Sequence, residues 1–333
     1  MAGVSDPIFL NETLPSIPDA MGVAGPFAGV CGDTIIVAGG ANFPKGLPWE
    51  GGKKVWHNEI YTYRRGSNRW TTAALHLPQP MAYGVSVSIP DGVLCIGGDN
   101  ASQTFSDVFL LKWDGARILV ENYPPLPVPL AYGAGVLSGN QVYVVGGSSS
   151  ASATSATKTF LVMDLKHRNA GWKSLESWPG RPRILPVVTA MKDSLFLCSG
   201  ADLAAGPDNK PKRTYLKDAW CYSPDSGWKQ IADLPRPVVA APSPCPSLNS
   251  EFYIMGGDDG SAAGTKPSLD HPGFARTTLC YHINTDSWSE RASMALPPVT
   301  TPMVKWVGGF VIPSGEIRPG VRSPDVHFIR FKP

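Results

Sequence analysis

Thr34-Ile35-Ile36-Val37-Ala38-Gly39-Gly40 joins an apolar run to a doublet of small residues, and the same pattern returns along the chain. Val93-Leu94-Cys95-Ile96 leads into Gly97-Gly98, Val142-Tyr143-Val144-Val145 into Gly146-Gly147, and Phe252-Tyr253-Ile254-Met255 into Gly256-Gly257. Ser199-Gly200 and Ser314-Gly315 are degenerate copies. Successive copies stand 49 to 58 residues apart, which makes the chain an array of six units.

Each unit continues with a polar loop of variable length, a second apolar run, then in most cases a tryptophan and a proline-rich turn. Glu59-Ile60-Tyr61-Thr62-Tyr63, Asp107-Val108-Phe109-Leu110-Leu111 and Thr159-Phe160-Leu161-Val162-Met163 are examples of the second run. Aromatic and β-branched residues between turn residues are strand chemistry, and no segment keeps a helical period for long. The expected fold class is all-β. Four short strands per unit, a doublet ending the second and Trp70, Trp172, Trp228 or Trp288 starting the fourth, resemble the kelch blade. In such a blade the glycines let neighbours approach near a crowded axis and the tryptophan fills the wider space between blades. The resemblance implies a six-bladed kelch β-propeller over residues 1–333, as a single domain.

The last unit stops after Val326-His327-Phe328-Ile329-Arg330-Phe331 and lacks a fourth strand. Pro7-Ile8-Phe9-Leu10 precedes a Leu14-Pro15-Ser16-Ile17-Pro18 turn like the Leu77-Pro78-Gln79-Pro80 turn that ends the first unit. Residues near Ile8 to Leu10 are therefore expected to pair with Val326 to Phe331, closing the ring and removing a sheet edge.

Composition suits one large β ring: 333 residues, 43% hydrophobic, with 35 glycines and 33 prolines. With 29 basic against 27 acidic residues and no basic run, nucleic acid and anionic membrane surfaces are poor partners. A small ligand or another protein fits better, and a homodimer stays open. No stretch has the length of a transmembrane helix, and the first residues lack the charged-then-apolar pattern of a secretion signal, although a mature exported form would look the same. Cys31, Cys95, Cys198, Cys221, Cys245 and Cys280 are scattered singly without CxxC spacing. Free thiols are expected rather than disulfides or a metal cluster, which favours a reducing compartment such as the cytoplasm.

Residues just beyond each doublet should converge on a funnel around the axis: Ala41-Asn42, Asp99-Asn100, Ser148, Ala201-Asp202, Asp258-Asp259 and Glu316. A polar ring in a concave site is a ligand-binding pattern, though a loop Asp or Asn also stabilises its own turn. The last unit breaks the repeat with Ser314-Gly315-Glu316-Ile317-Arg318-Pro319-Gly320-Val321-Arg322. Together with Gly22-Val23-Ala24-Gly25-Pro26-Phe27-Ala28-Gly29, Ala38-Gly39-Gly40-Ala41-Asn42-Phe43-Pro44 and Ala82-Tyr83-Gly84-Val85-Ser86, this segment resembles the kelch-type N-acetylneuraminate epimerases, the sialic acid mutarotases. The resemblance implies catalytic roles for Glu316 and Arg322. In a bacterial member of that family the Gly-Glu-x-x-Pro-Gly-x-Arg segment lies in mid-chain, ahead of the Gly-Val-Ala-Gly and Ala-Tyr-Gly blocks, so this chain is similar to a circularly permuted member, which a closed ring with adjoining termini tolerates. Met81 stands where the family has an arginine before Ala-Tyr-Gly, which bears on the sugar taken.

Mutarotation opens a cyclic hemiketal and recloses it on the other face, so it needs proton transfer and no metal or cofactor. Glu316 is the candidate proton shuttle, and Arg322 the group that orients a sugar carboxylate. Asn42, Tyr83, Asn100, Arg213 and Arg276 are the candidate substrate contacts. Arg213, Arg276 and Arg322 each lie shortly before the third strand of a unit, a phase that should bring three carboxylate-binding guanidinium groups to one rim. A non-catalytic kelch module that binds a protein across the funnel is the alternative. A copper oxidase is disfavoured, because His57, His76, His167, His271, His282 and His327 fall at different places in the repeat.

Overall fold

The computed structural model describes residues 9–206, 211–292 and 298–332. Among them are six antiparallel four-stranded sheets, one per repeat, arranged as the blades of a propeller. The first blade runs Phe27–Cys31, Thr34–Ala38, Ile60–Arg64 and Thr71–Thr72, with the doublet closing the second strand as the sequence implies. Among the described residues, helix is confined to two short 3-10 segments, Pro48–Glu50 and Leu165–Ala170. No helix of the described residues is long and apolar enough to cross a membrane.

The inner strands are buried on both faces, and alternation divides each between two neighbours. Ile35 and Val37 join a cluster with Val304, Trp306, Val311 and Phe328 of the sixth blade. Ile36 and Ala38 face the other way, onto Val93, Cys95, Phe109 and Leu111 of the second. Every blade boundary carries such an apolar cluster. The tryptophans add a polar tie, because each indole reaches back to the carbonyl where the preceding blade's last strand ends. Trp70 donates to Pro15 at 2.7 Å, Trp172 to Pro124 at 3.0 Å, Trp228 to Glu176 at 2.9 Å and Trp288 to Ala232 at 2.8 Å.

Both residues of every doublet have positive φ, Ser199 and Ser314 included. A Cβ on Gly39 would lie 2.4 Å from the carbonyl oxygen of Met81 in the next blade, so close approach does demand glycine there. The serine copies make the same inter-blade junction with a hydroxyl. Ser314 Oγ accepts from the Val23 amide at 2.7 Å and donates to the Ser323 carbonyl at 2.7 Å, while Ser199 Oγ accepts from Val238 and donates to Leu216, each at 2.8 Å.

Phe9–Leu14 pairs with Val326–Phe331, from Phe9 opposite Phe331 to Leu14 opposite Val326, and supplies the missing fourth strand of the last blade. The pairing runs further than the expected Ile8 to Leu10, as far as Leu14; Ile8 lies outside the described residues. All six cysteines are free thiols, and Cys95, Cys198, Cys245 and Cys280 are buried.

Candidate active site

One residue per blade builds the floor of the funnel. Gly25, Tyr83, Tyr132, Leu185, Ala240 and Thr300 all have left-handed backbones, with φ between 52° and 62°. In that conformation each amide points along the ring to the next carbonyl: Tyr83 to Gly25, Tyr132 to Tyr83, Leu185 to Tyr132, Ala240 to Leu185, Thr300 to Ala240 and Gly25 to Thr300, at 2.7 to 3.0 Å. Six hydrogen bonds thus close a circle about the axis. Tyr83, Tyr132, Leu185, Ala240 and Thr300 border both a cavity of about 480 Å³ on one side and a small one of about 80 Å³ on the other.

The residue after each doublet forms a two-way bridge with the residue preceding the floor position. Ala41 pairs with Ala24, Asp99 with Ala82, Ser148 with Ala131, Ala201 with Ile184, Asp258 with Val239 and Glu316 with Val299. Glu316 is therefore one of six equivalent positions about the axis, of which Ser148, Asp258 and Glu316 line the larger cavity. Beyond it the chain makes a hairpin, Glu316–Arg318 against Val321–Arg322, with Glu316 directly opposite Arg322. The Pro319-Gly320 turn is held from inside, since Gly320, at φ +83°, donates its amide to Glu316 Oε1 at 2.6 Å.

Arg322 is held by an ion pair with Glu316 and by an aromatic ring. Its Nη1 is 3.4 Å from Glu316 Oε1, its side chain is 5% exposed, and its guanidinium carbon lies 4.8 Å from the centre of the Phe43 ring. The Nε and Nη1 atoms are buried, and neither makes a hydrogen bond among the described residues. Buried, unsatisfied guanidinium donors on a cavity wall are primed for an anion.

Of the residues selected from sequence, the larger cavity brings together Glu316, Arg322, Tyr83 and Arg213. Asn42 is not on its wall. It is buried, its amide donating to the Gly22 carbonyl at 2.9 Å and to Asp19, its Oδ1 2.8 Å from His57 Nε2, so it ties the Asp19-to-Gly22 turn to His57. Asn100 also stands off the wall, because its carbonyl accepts from Ser102 and Gln103 and closes its own loop. Arg276 is exposed and, among the described residues, donates to the Pro272 carbonyl at 3.4 Å. The expected three-arginine rim is thus a two-arginine wall: the loops after the fourth and sixth doublets fold into hairpins that carry Arg213 and Arg322 inward, whereas Arg276 directly precedes the third strand of its blade, Thr277–His282. Met81, 1% exposed, sits in the core between the first two blades and not on the wall.

The wall has further members. Tyr132 stacks on Tyr83 with ring centres 4.8 Å apart, and Lys54 places Nζ 4.9 Å from the Tyr83 ring. Behind them Trp56 donates to the buried Asp99 at 3.1 Å. Burial raises the Asp99 carboxyl above its ordinary range, against the lowering effect of hydrogen bonds from Tyr132 and Trp56, and burial together with Asp99 raises the Tyr132 phenol. Asp258 accepts from the Tyr215 hydroxyl at 2.9 Å and from the Gly260 amide at 3.0 Å. Burial first, then Asp258, pushes the Tyr215 phenol up to about 12. Tyr132 had a visible signal, since Leu130-Ala131-Tyr132-Gly133 repeats Met81-Ala82-Tyr83-Gly84; Lys54 had none.

The motifs that are far apart in sequence meet here. Gly22 lies against Ser323 so closely that a Cβ would fall 2.2 Å from its carbonyl carbon, Gly25 and Tyr83 are floor residues, and Phe43 backs Arg322. A model of the N-acetylneuraminate epimerase family matches residues 12–120 and 123–265, well over half of the chain. The chain belongs to the N-acetylneuraminate epimerase family. It is similar to an N-acetylneuraminate epimerase of Brucella suis, 40% identical over 111 residues that make up 30% of this chain and 28% of that protein. It is likewise similar to one of Yersinia pestis, 39% identical over 110 residues, 30% of this chain and 27% of the relative. The aligned stretch thus spans less than a third of the curated relatives it matches. The family match takes in Phe43, Lys54, Tyr83, Tyr132, Arg213 and Asp258 and ends at residue 265, before Glu316 and Arg322.

Proposed function

We propose that this chain is a mutarotase that interconverts the α and β anomers of N-acetylneuraminate or a related keto-sugar acid. The observation that carries the reading is the Glu316–Arg322 pair on the cavity wall, where a carboxylate and a buried guanidinium with unused donors stand side by side. Arg322 donates hydrogen bonds to the sugar carboxylate through its planar guanidinium, with Arg213 and Lys54 adding positive charge on the same wall. Stacked Tyr83 and Tyr132 line the same wall as these cations.

Holding the carboxylate at Arg322 brings the neighbouring anomeric carbon toward Glu316. The Glu316 carboxylate takes the proton of the anomeric hydroxyl, the bond from the anomeric carbon to the ring oxygen breaks, and the ring oxygen receives the electron pair and the proton. The product is the open-chain keto acid. Rotation about the adjacent carbon–carbon bond presents the other face of the carbonyl, and the reverse proton transfers reclose the ring as the other anomer. The place of the Glu316 segment after the other motifs, beyond the family match, fits a circularly permuted order.

Substrate class is tested by comparing anomer exchange of N-acetylneuraminate with that of glucose and galactose. Acceleration confined to the acid supports the arginine clamp; equal acceleration of neutral sugars would assign the substrate class elsewhere.

A further inference from the structure

Away from the cavity, one face of the fifth blade gathers a second group of reactive side chains. Glu251 lies opposite His282, and Tyr253 opposite Cys280, across the antiparallel strands Glu251–Met255 and Thr277–His282. Alternation puts these four side chains on one face, and Ser289, opposite Cys280 on the outer strand, joins them. One ligand atom each of Glu251, Cys280 and His282 lies within 4.8 Å of the other two. His282 Nδ1 is 2.6 Å from Glu251 Oε1 and 4.0 Å from Cys280 Sγ. Their remaining polar atoms are braced from outside: His282 Nε2 is 2.8 Å from Ser289 Oγ, and the Tyr253 hydroxyl donates to Glu251 Oε2. Cys280 is buried, while the His282 and Glu251 side chains are 26% and 35% exposed, which leaves an ion a way in.

We propose that Glu251, Cys280 and His282 form a binding site for a divalent transition-metal ion of the zinc class, with a fourth position open to water. A sulfur, an imidazole nitrogen and one carboxylate oxygen suit such an ion, whereas magnesium and calcium call for oxygen ligands throughout. An ion about 2.0 to 2.3 Å from each ligand needs the ligand atoms roughly 3 to 4 Å apart, and the observed 2.6 and 4.0 Å demand only small side-chain shifts. The thiol gives its proton to solvent as the metal binds. No spacing in the sequence announces the site, because sheet register and not helix or loop geometry brings the three ligands together.

The site braces the thinnest blade boundary. Tyr253 meets Phe9 and Phe331, at the ends of the strands that close the ring, with ring centres 5.5 and 5.3 Å away. Between the fifth and sixth blades the buried apolar cluster comprises only Met255, Met303, Ile312 and Ile329 among the described residues. An ion that fixes Glu251 also fixes Tyr253, so the metal should raise thermal stability.

The test uses tag-free, chelator-stripped protein titrated with Zn(II) against a chromophoric chelator and, separately, with Co(II). Expected are one equivalent of zinc bound, a rise in melting temperature, and with cobalt a near-ultraviolet thiolate-to-metal charge-transfer band. Cys280→Ser should abolish the band, His282→Gln should weaken zinc binding more than about tenfold, and Ser289→Ala should weaken it by about tenfold through loss of the imidazole brace. Failure of the wild type to bind zinc, or unchanged zinc affinity in a folded Cys280→Ser or His282→Gln protein, would overturn the proposal. His282, being part-exposed, decides the matter if the Cys280 variant does not fold. None of these readouts depends on sugar chemistry.

Discussion

The amide of Gly25 donates to the carbonyl of Thr300 at 2.7 Å, joining the first blade to the last at the axis. It is the closing link of the six-membered floor, and it works beside the outer closure in which Phe9–Leu14 completes the last sheet. Ring closure is thus secured twice, near the axis by backbone amides and at the periphery by a strand.

Gly25→Ala should be costly although it adds one methyl group. The backbone there is left-handed, at φ +62°, and a Cβ would lie 2.4 Å from Tyr83 Cδ1. Conformational strain and overpacking together predict a loss of about 2 to 3 kcal/mol. Urea denaturation measures it, and an unchanged midpoint would show that the floor yields without strain.

His327 makes the closing blade sensitive to acid. Its Nδ1 is buried without a hydrogen-bond partner among the described residues, and burial lowers its pKa below 6.5 despite the opposing influence of Asp325. The unfolded chain takes up a proton near its ordinary value while the folded chain resists. Stability is therefore full above about pH 6.5 and falls as pH drops from there toward the lower folded-state pKa. In His327→Gln the slope of stability against pH between roughly 7 and 5 should flatten. A slope equal to that of the wild type would place the acid sensitivity in other groups.

Binding of the sugar acid should depend on Arg322 more than on any other cation of the wall. A buried, charge-assisted hydrogen bond contributes about 1.5 to 3 kcal/mol, so Arg322→Ala should weaken N-acetylneuraminate binding by at least about tenfold. Lysine at the same position should restore only part of the loss, because an ammonium lacks the planar fork. Calorimetric titration distinguishes these outcomes; full recovery with lysine would mean that charge alone matters.

Blade number and closure were legible because both rest on side-chain patterns that repeat: the apolar run, the doublet, the tryptophan and the missing last strand. The floor was not, because a left-handed backbone at one position per blade is met by Gly25, Tyr83, Tyr132, Leu185, Ala240 and Thr300, which share no side-chain property. At the site, Glu316 and Arg322 stood out as a break in the repeat. Asn100 and Arg276 look equivalent to wall residues only while loops are taken as equal. The loop after Asp99 turns back on itself through Asn100, and no inward hairpin carries Arg276.

Proton transfer by Glu316 is tested most directly by proton NMR of α-anomeric N-acetylneuraminate, followed from dissolution with wild-type protein, with Glu316→Gln and with none. The wild type should bring the anomers to equilibrium well ahead of the spontaneous rate. Glu316→Gln, which keeps the shape but not the ionisable group, should be slower by about a hundredfold or more. A wild type no faster than buffer, or a Glu316→Gln protein as fast as the wild type, would contradict the assignment.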